Sequence, residues 1–254
     1  IRVALGALIV AVAPGAWTPV DRHDMPRIIL VAAIWMSLPF VLFPWAERSV
    51  ESSVAGMINA GLPVFTAMIA ALLLRRAPRP VQAAGLIVGF VGVALIAIPS
   101  LSDSRSSALG VLALVVAVAC YAVGVNLTIP LQQRYGTLPP LARIELISSV
   151  MLLPFAVFGL RTSTFAWSAL IANVALGVLA TGAAFLAMFT LMGRVGATRS
   201  SAVTYLFPLV ALTLGVVFRD EPLHAIAIVG AALVLIGAWL VSRTEHAPHE
   251  AAGD

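Results

Sequence analysis

The sequence predicts an all-α polytopic membrane protein, an inverted five-plus-five helix repeat in which nine of the ten transmembrane helices are present. Three observations predict this fold: the composition, the length of the apolar runs, and a stripe of small and polar residues that occurs twice. Of the 254 residues, 61% are hydrophobic and only 10% are charged, and the mean hydropathy is +1.05. A soluble domain carries about 25% charged residues. This chain therefore cannot face water on all sides.

Nine apolar runs are long enough for transmembrane helices, which need about 20 mainly apolar residues each. Arg, Pro and Asp mark the breaks between the runs. In chain order the runs are 3–20, 27–46, 53–74, 81–101, 108–130, 141–160, 166–191, 198–218 and 224–242. Each run exceeds the roughly 10 residues of a barrel strand and lacks strict alternation, which favours helices over a transmembrane barrel.

Two of the predicted helices carry the same pattern, 145 positions apart. The first stripe is Ser52, Gly56, Asn59, Pro63, Thr66 and Ala70. The equivalent stripe is Ala197, Ser201, Thr204, Pro208, Ala211 and Gly215. The pairs Gly85 and Gly230, Gly92 and Gly237, and Phe40 and Phe185 share the spacing. The two halves of the chain therefore repeat the same helix with the same small and polar face.

This repeat divides the chain into two domains and a tail. The first repeat, 1–101, has four helices, the second, 108–242, has five, and 243–254 is a polar tail. The counterpart of the helix at 108–130 would precede Ile1, so we expect a parent protein of ten helices. Because five is odd, the halves have opposite orientations in the membrane. Inverted repeats are the architecture of many secondary transporters, with the substrate site near the bilayer midplane.

The arginines predict the orientation of the chain. The loops on one side of the membrane, including 75–80 and the tail, hold about twice as many arginines as the loops on the other side, including 103–107. Cytoplasmic loops carry an excess of basic residues. We therefore expect 75–80 and the tail in the cytoplasm and 103–107 outside.

These features resemble the drug/metabolite transporter superfamily, specifically its ten-helix EamA type. The first half carries the resemblance in SSVAGMINAGLPVFT at 52–66, then Gly85 and Gly92. The second half carries it in RVGATRSSA at 194–202, YLFP at 205–208, Gly215, Glu221, Gly230 and Gly237. The resemblance implies ten helices, cytoplasmic termini, and export or uptake of small metabolites through a central cavity. The chain departs from the family by lacking the first helix, and by having Arg75-Arg76 where the second half has Glu221.

Candidate residues for a substrate cavity lie on these stripes and on the helices predicted beside them. They are Asn59, Pro63, Thr66, Tyr121, Thr181, Thr204, Tyr205 and Pro208. A proline in a helix frees a backbone carbonyl, and an amide or hydroxyl in hydrocarbon needs a partner; a cavity supplies water or ligand for both. The alternative is that these residues form helix-packing seams and hydrogen bonds between helices.

Glu145 is the one acidic residue inside a predicted span. A buried carboxylate would carry a proton or hold a cationic substrate, so this residue is a candidate proton or cation site. Glu145 follows Pro139-Pro140 by about one turn of the predicted helix, where we expect water to reach it. The interfacial interpretation is therefore preferred over the buried one.

The function predicted from these observations is secondary transport of small organic metabolites across the plasma membrane by alternating access, as an exporter or permease. We expect the substrate and the lipid bilayer as partners, no nucleic acid, and no cofactor or metal; a homodimer is left open. No P-loop is present, so ATP-driven transport is not expected. The alternatives are a membrane-embedded transferase or hydrolase and a non-transporting scaffold. An enzyme needs clustered reactive groups, whereas the acids, the histidines and Cys120 are scattered, so no enzyme is expected.

Overall fold

The fold is helical wherever the chain is described. The computed structural model describes residues 1–73, 80–102, 108–162, 165–195, 200, 210, 214, 217–218 and 225–243. Within these ranges there are helices and connecting loops and no strand. A helix satisfies its backbone hydrogen bonds within one segment, as a chain in lipid requires. The all-α class is confirmed.

The α-helices of the described ranges are numbered here in chain order. They are α1 (Arg2–Ala11), α2 (Met25–Val31), α3 (Leu38–Ala46), α4 (Ser52–Asn59), α5 (Leu62–Leu73), α6 (Pro80–Ser102), α7 (Ala108–Tyr135), α8 (Leu138–Thr162), α9 (Trp167–Ala175), α10 (Ala184–Val195) and α11 (Ala225–Arg243). A π-helical segment, Ala32–Ser37, joins α2 to α3, and a second, Leu176–Ala183, joins α9 to α10.

Five helical segments of the described chain are long and apolar enough to cross a membrane. They are Arg22–Ala46, Val54–Leu73, Ala108–Tyr135, Leu138–Gly159 and Trp167–Arg194. Shorter apolar helices are Arg2–Ala11, Ala83–Ile96 and Ile228–Leu240. Large apolar side chains such as Phe158 and Ile171 are exposed on these segments, as expected for surfaces that face lipid. The chain is a polytopic membrane protein.

The first helix is shorter than the predicted 3–20. It ends at Ala11, because Pro14 and Gly15 form a turn in which Gly15 has a φ of +87°. The indole Nε1 of Trp17 donates to the Ala11 carbonyl at 2.9 Å and occupies one of the acceptors left at the helix end. Two other helices are longer than predicted: α7 continues beyond Pro130 to Tyr135, and α8 begins at Leu138. Most of the predicted helix 198–218 lies outside the described residues.

The chain forms two compact units, and each draws on both halves of the sequence. The first unit comprises Ile1–Val41 and Val123–Ser200, and the second comprises Leu42–Ala122 and Ser201–Asp254. The predicted repeats, 1–101 and 108–242, describe which segments of sequence are equivalent, whereas the two units describe which segments are in contact. The repeats therefore stay a prediction.

In the first unit, α1 packs on the π-helical segment Leu176–Ala183 and on α8. Helix α8 also packs on the other π-helical segment, Ala32–Ser37. Small residues permit the close approach of α1: a Cβ atom at Gly6 would lie 3.1 Å from the backbone nitrogen of Gly182. An aromatic group, Trp35 with Phe185 and Phe189, fills the space beside these segments.

In the second unit, α6 packs along α11 at a glycine-lined seam. A Cβ atom at Gly92 would lie 2.6 Å from the Gly230 carbonyl oxygen, and one at Gly237 would lie 2.6 Å from the Gly85 carbonyl oxygen. Close backbone contact between membrane helices gives van der Waals attraction that larger residues would prevent. The buried core of this unit adds residues from α4, α5 and the first half of α7, among them Ile58, Phe65 and Leu114.

Candidate functional site

The helix predicted at 53–74 is broken at Ala60 and Gly61. Helix α4 ends at Asn59 and α5 begins at Leu62. The Gly61 N–H donates to the Ile58 carbonyl at 3.0 Å, which tightens the end of α4 into a turn. The Gly61 carbonyl then accepts the first hydrogen bonds of α5. The membrane segment is therefore two short helices joined by a tight turn.

Pro63 is the second residue of α5, so it lies one turn after the end of α4 at Asn59. In the first turn of a helix a proline is tolerated, because an N–H there would have no partner within the helix. Pro63 nevertheless has a consequence for α4. In a continuous helix its N–H would donate to the Asn59 carbonyl four residues earlier, and proline supplies no such donor.

Asn59 also contributes a side-chain acceptor at the same break. Its side-chain oxygen Oδ1 is buried, and no described residue donates a hydrogen bond to it. A buried acceptor without a partner costs about 1–3 kcal/mol of stability. Pro63 and Thr66 are also buried, and Thr66 is fully so. The break therefore concentrates buried polar groups within about two turns of chain in an apolar segment.

Tyr121 lies on α7 in the same unit and is half-buried. Its ring packs on the hydrophobic core of the second unit, with the ring centroid 5.9 Å from that of Phe43. The structure thus brings Asn59, Pro63, Thr66 and Tyr121 into the second unit. The other described candidates, Thr181 and Glu145, belong to the first unit.

Thr181 is fully buried in the π-helical segment Leu176–Ala183. Its hydroxyl donates to the Leu176 carbonyl at 3.2 Å and accepts from Nε of Arg2 at 2.8 Å. The Arg2 guanidinium carbon also lies 4.7 Å from the centroid of the Phe40 ring, a cation–π distance. Sequence reasoning missed Arg2, because it is 179 positions from Thr181 and no local pattern links them.

Glu145 is fully buried, so the interfacial interpretation is wrong. Helix α8 begins at Leu138, which places Glu145 two turns inside the helix. Neither carboxylate oxygen has a hydrogen-bond partner among the described residues. One turn further on, Ser148 donates to the Ala32 carbonyl at 3.0 Å, so this face of α8 lies on the π-helical segment Ala32–Ser37.

The two π-helical segments occupy equivalent positions at the 145-residue spacing, because Ala32 and Ser37 correspond to positions 177 and 182, inside Leu176–Ala183. Each contains a hydroxyl that donates to a carbonyl five residues earlier: Ser37 to Ala32 at 2.9 Å and Thr181 to Leu176. π-Helical turns occur frequently at functional sites. Sequence reasoning missed both segments.

Three of the sequence-predicted site residues, Thr204, Tyr205 and Pro208, lie outside the described residues. In the described ranges, no group of three or more His, Cys, Asp or Glu side chains could hold a metal ion. Two candidate sites therefore remain among the described residues: Asn59 with its neighbours in the second unit, and Glu145 in the first.

The model of the EamA-like transporter family matches residues 1–98 and 108–243. This chain belongs to the EamA-like transporter family. It is a multi-pass membrane transporter, which in a bacterium places it in the plasma membrane, and the predicted resemblance is confirmed.

Relatives of this chain carry transporter names, as two examples show. The chain is 34% identical over 248 residues to the "Probable terminal-alkyne amino-acid exporter" of Streptantibioticus cattleyicolor, a match that covers 96% of this chain and 82% of the relative. It is 25% identical over 220 residues to an "Uncharacterized transporter" of Archaeoglobus fulgidus, covering 87% of this chain and 78% of the relative.

A solved crystal structure has the same fold. It aligns with a TM-score of 0.67 over 99% of this chain and 87% of the other chain, at 18% sequence identity. Identity this low supports a shared fold and nothing about substrate.

Proposed function

We propose that this transporter moves small organic metabolites, amino acids among them, by secondary alternating-access transport. The observation that carries the proposal is the break between α4 and α5, where the backbone carbonyl and the side-chain oxygen of Asn59 are two acceptors in an apolar segment. Non-helical backbone at membrane depth is tolerated only where protein buries it or where it lines a water-filled cavity. Discontinuous helices of this kind form the substrate sites of many secondary transporters.

The two acceptors of Asn59 define the chemistry of a matching substrate. An ammonium group presents three N–H donors and no acceptor, so it complements a pair of oxygens. Pro63 and Thr66 add a small, buried surface for the adjoining part of the ligand. An amino acid carries such an ammonium group. The relative named as a probable terminal-alkyne amino-acid exporter supports the same class.

Contacts between equivalent residues support the two-repeat mechanism. At the seam of α6 and α11, Gly92 contacts Gly230 and Gly237 contacts Gly85. Because Gly92 is equivalent to Gly237 and Gly230 to Gly85, these two contacts are equivalent to each other. Reciprocal contacts of this form arise when two similar elements are related by a two-fold axis. The family model matches in two stretches, 1–98 and 108–243, and this division supports the predicted repeats 1–101 and 108–242. Inverted repeats exchange conformations to open a site to each side in turn.

Counterflow in reconstituted vesicles tests the proposal. Proteoliposomes are loaded with a high concentration of one unlabelled amino acid, and entry of the same labelled amino acid is measured against protein-free vesicles. We expect transient accumulation for at least one member of a panel of amino acids with small apolar side chains. Counterflow needs no ion gradient, so it separates transport from energy coupling. Absence of counterflow across the amino-acid panel and a wider metabolite panel would reject the proposal.

A further inference from the structure

We infer that Glu145 carries a proton in the transport cycle, being protonated while sealed as in this structure and ionised when its surroundings open to water. The inference rests on the proposed transport function and adds its energy coupling. The proton leaves the carboxyl group for water, and the group returns to the acid form by taking a proton from water on the other side. No further reactant is needed.

The burial of Glu145 is the first step of the argument. The segment Leu138–Gly159 is apolar and long enough to cross a membrane, and Glu145 is 0% exposed within it. Its neighbours on the helix, including Leu141, Ile144 and Ser148, are equally buried. Moving an ionised carboxylate into such surroundings costs several kcal/mol or more, and the group takes up a proton instead. In this conformation the side chain is therefore a carboxylic acid.

The second step is that no cation among the described residues holds the ionised form. The elements packed on α8 are α1, α2, the segment Ala32–Ser37 and α10. Their charged residues are Arg2, Arg27 and Arg194, and α8 itself has Arg143 and, in its last turn, Arg161. Among the described residues none of these pairs with Glu145, and the ion pairs found there are those of Arg134 with Asp21 and Asp24.

Three of these arginines, Arg2, Arg27 and Arg143, are bonded elsewhere. Arg2 donates to Thr181, and Arg27 donates to the Leu127 carbonyl at 3.0 Å. Arg143 donates to the Pro139 carbonyl at 2.8 Å and the Thr18 carbonyl at 3.0 Å. Arg194 is exposed in the last turn of α10. These bonds direct the positive charges to backbone carbonyls and to a threonine.

The third step concerns the seam that seals Glu145. Ser148 of α8 and Ser37 both donate to the Ala32 carbonyl, at 3.0 and 2.9 Å. A π-helical turn is a local irregularity that is frequent at functional sites. A water molecule can replace either serine hydroxyl as the donor to the Ala32 carbonyl at little enthalpic cost. Separation of α8 from Ala32–Ser37 would admit water to Glu145. The carboxyl would then ionise, because hydration removes the penalty of burial.

A proton suits this site better than a metal ion. Hard cations take six or more oxygen ligands when bound as Ca²⁺ or Mg²⁺. The described residues contain no cluster of three or more acidic, His or Cys side chains. The neighbouring hydroxyls of α8 are already engaged, since Ser148 donates to the Ala32 carbonyl and Ser149 to the backbone carbonyl of Glu145. Glu145 therefore offers a single carboxyl group, which is sufficient for one proton.

Infrared difference spectroscopy tests the protonation without any substrate. The spectrum of the protein in lipid at neutral pH minus that of the Glu145→Gln variant should contain the C=O stretching band of a carboxylic acid. Glu47→Gln, which removes an exposed carboxylate, is the matched control and should leave that band unchanged. If the Glu145→Gln difference contains only carboxylate bands at neutral pH, the side chain is ionised and the inference is wrong.

The coupling itself is measured as the ratio of uptake driven by a pH gradient to counterflow of the same labelled amino acid. One-to-one coupling predicts about a tenfold substrate gradient per unit of pH difference, since one pKa or pH unit corresponds to a factor of ten. In Glu145→Gln the ratio should fall to its value without a gradient, and Glu145→Asp should restore part of it. A wild-type ratio that ignores the gradient, or a Gln variant that keeps it, would overturn the inference. Failure of wild-type counterflow would instead reject the proposed function, while the infrared band still reports on Glu145.

Discussion

The rings of Phe40 and Phe185 pack on each other with their centroids 6.2 Å apart, and the two residues are equivalent at the 145-residue spacing. When two similar elements are related by a two-fold axis, a residue contacts its own equivalent only close to that axis. The contact therefore supports a pseudo-two-fold axis passing through the first unit near these rings. The reciprocal glycine contacts of α6 and α11 support the same relationship within the second unit.

The seam of α6 and α11 predicts that Gly92→Ala is destabilising. The added Cβ would lie 2.6 Å from both the Gly230 carbonyl oxygen and the Val234 nitrogen, which are backbone atoms with little freedom to move. Overpacking of this kind costs about 1–3 kcal/mol, more than the gain of up to about 1 kcal/mol from replacing glycine by alanine in a helix. Chemical unfolding of the purified protein in detergent measures the change.

Gly159→Ala is the matched control for that substitution. Gly159 lies in α8, is exposed, and a Cβ added there would meet nothing within 4 Å. We expect the free energy of unfolding to stay the same or to rise by up to about 1 kcal/mol. If the two substitutions change the free energy of unfolding equally, α6 and α11 do not pack as closely at Gly92 as described.

The start of α2 is fastened to the end of α7, and Tyr135→Phe should loosen it. The Tyr135 hydroxyl donates to Oδ2 of Asp24 at 2.6 Å, and Arg134 donates to the same oxygen at 2.8 Å. Loss of the hydroxyl removes a short hydrogen bond to an ionised acceptor, the stronger kind of hydrogen bond. Trypsin should then cut faster after Arg22, which is exposed beside Asp24.

Thr137→Ala is the control for Tyr135→Phe, because it removes a nearby hydroxyl that bonds to Thr190 and not to Arg22–Asp24, the 3₁₀ turn that precedes α2. Its rate of cleavage after Arg22 should equal that of the unmodified protein. If Tyr135→Phe is cut no faster than Thr137→Ala, the bond to Asp24 does not hold this turn in solution.

The orientation of the repeats predicts opposite accessibility of two loops. In a Cys120→Ser background, Ala77→Cys lies in the loop predicted to be cytoplasmic, and Asp103→Cys lies in the loop predicted to be external. An impermeant thiol reagent applied to intact cells should label Asp103→Cys alone, and Ala77→Cys should label only after the membrane is opened. Labelling of both loops in intact cells would contradict the inverted arrangement.

Most of the helices were predictable because apolar length and the cost of unbonded backbone in lipid leave little choice. The ends were less so: α1 stops at Ala11 because of the turn at Gly15, and α8 starts before the proline pair. Composition marks where an apolar run begins and ends, whereas a turn inside a run depends on local backbone conformation. The break at Ala60 and Gly61 was missed for this reason.

The candidate site was predictable in part. Asn59 was identified from its stripe, and the structure adds that its side-chain oxygen is buried without a described partner. The burial of Glu145 and the bond from Arg2 to Thr181 depend on which helices meet, which a single sequence does not encode locally. The π-helical segments could not be predicted from hydrophobic periodicity, because one extra residue in a turn barely changes the pattern.

The most direct test of the central claim, that the break at Asn59 belongs to the substrate path, is counterflow and melting temperature measured on the same purified Asn59→Leu variant. Replacing an amide whose buried oxygen has no described partner by an apolar group of similar size is neutral or stabilising, so folding should persist. Met57→Leu, a volume-conserving change in the same helix α4, is the control and should retain transport. The account predicts that Asn59→Leu loses counterflow with an unchanged or higher melting temperature. Normal counterflow in Asn59→Leu, or a loss that follows a fall in melting temperature, would contradict it.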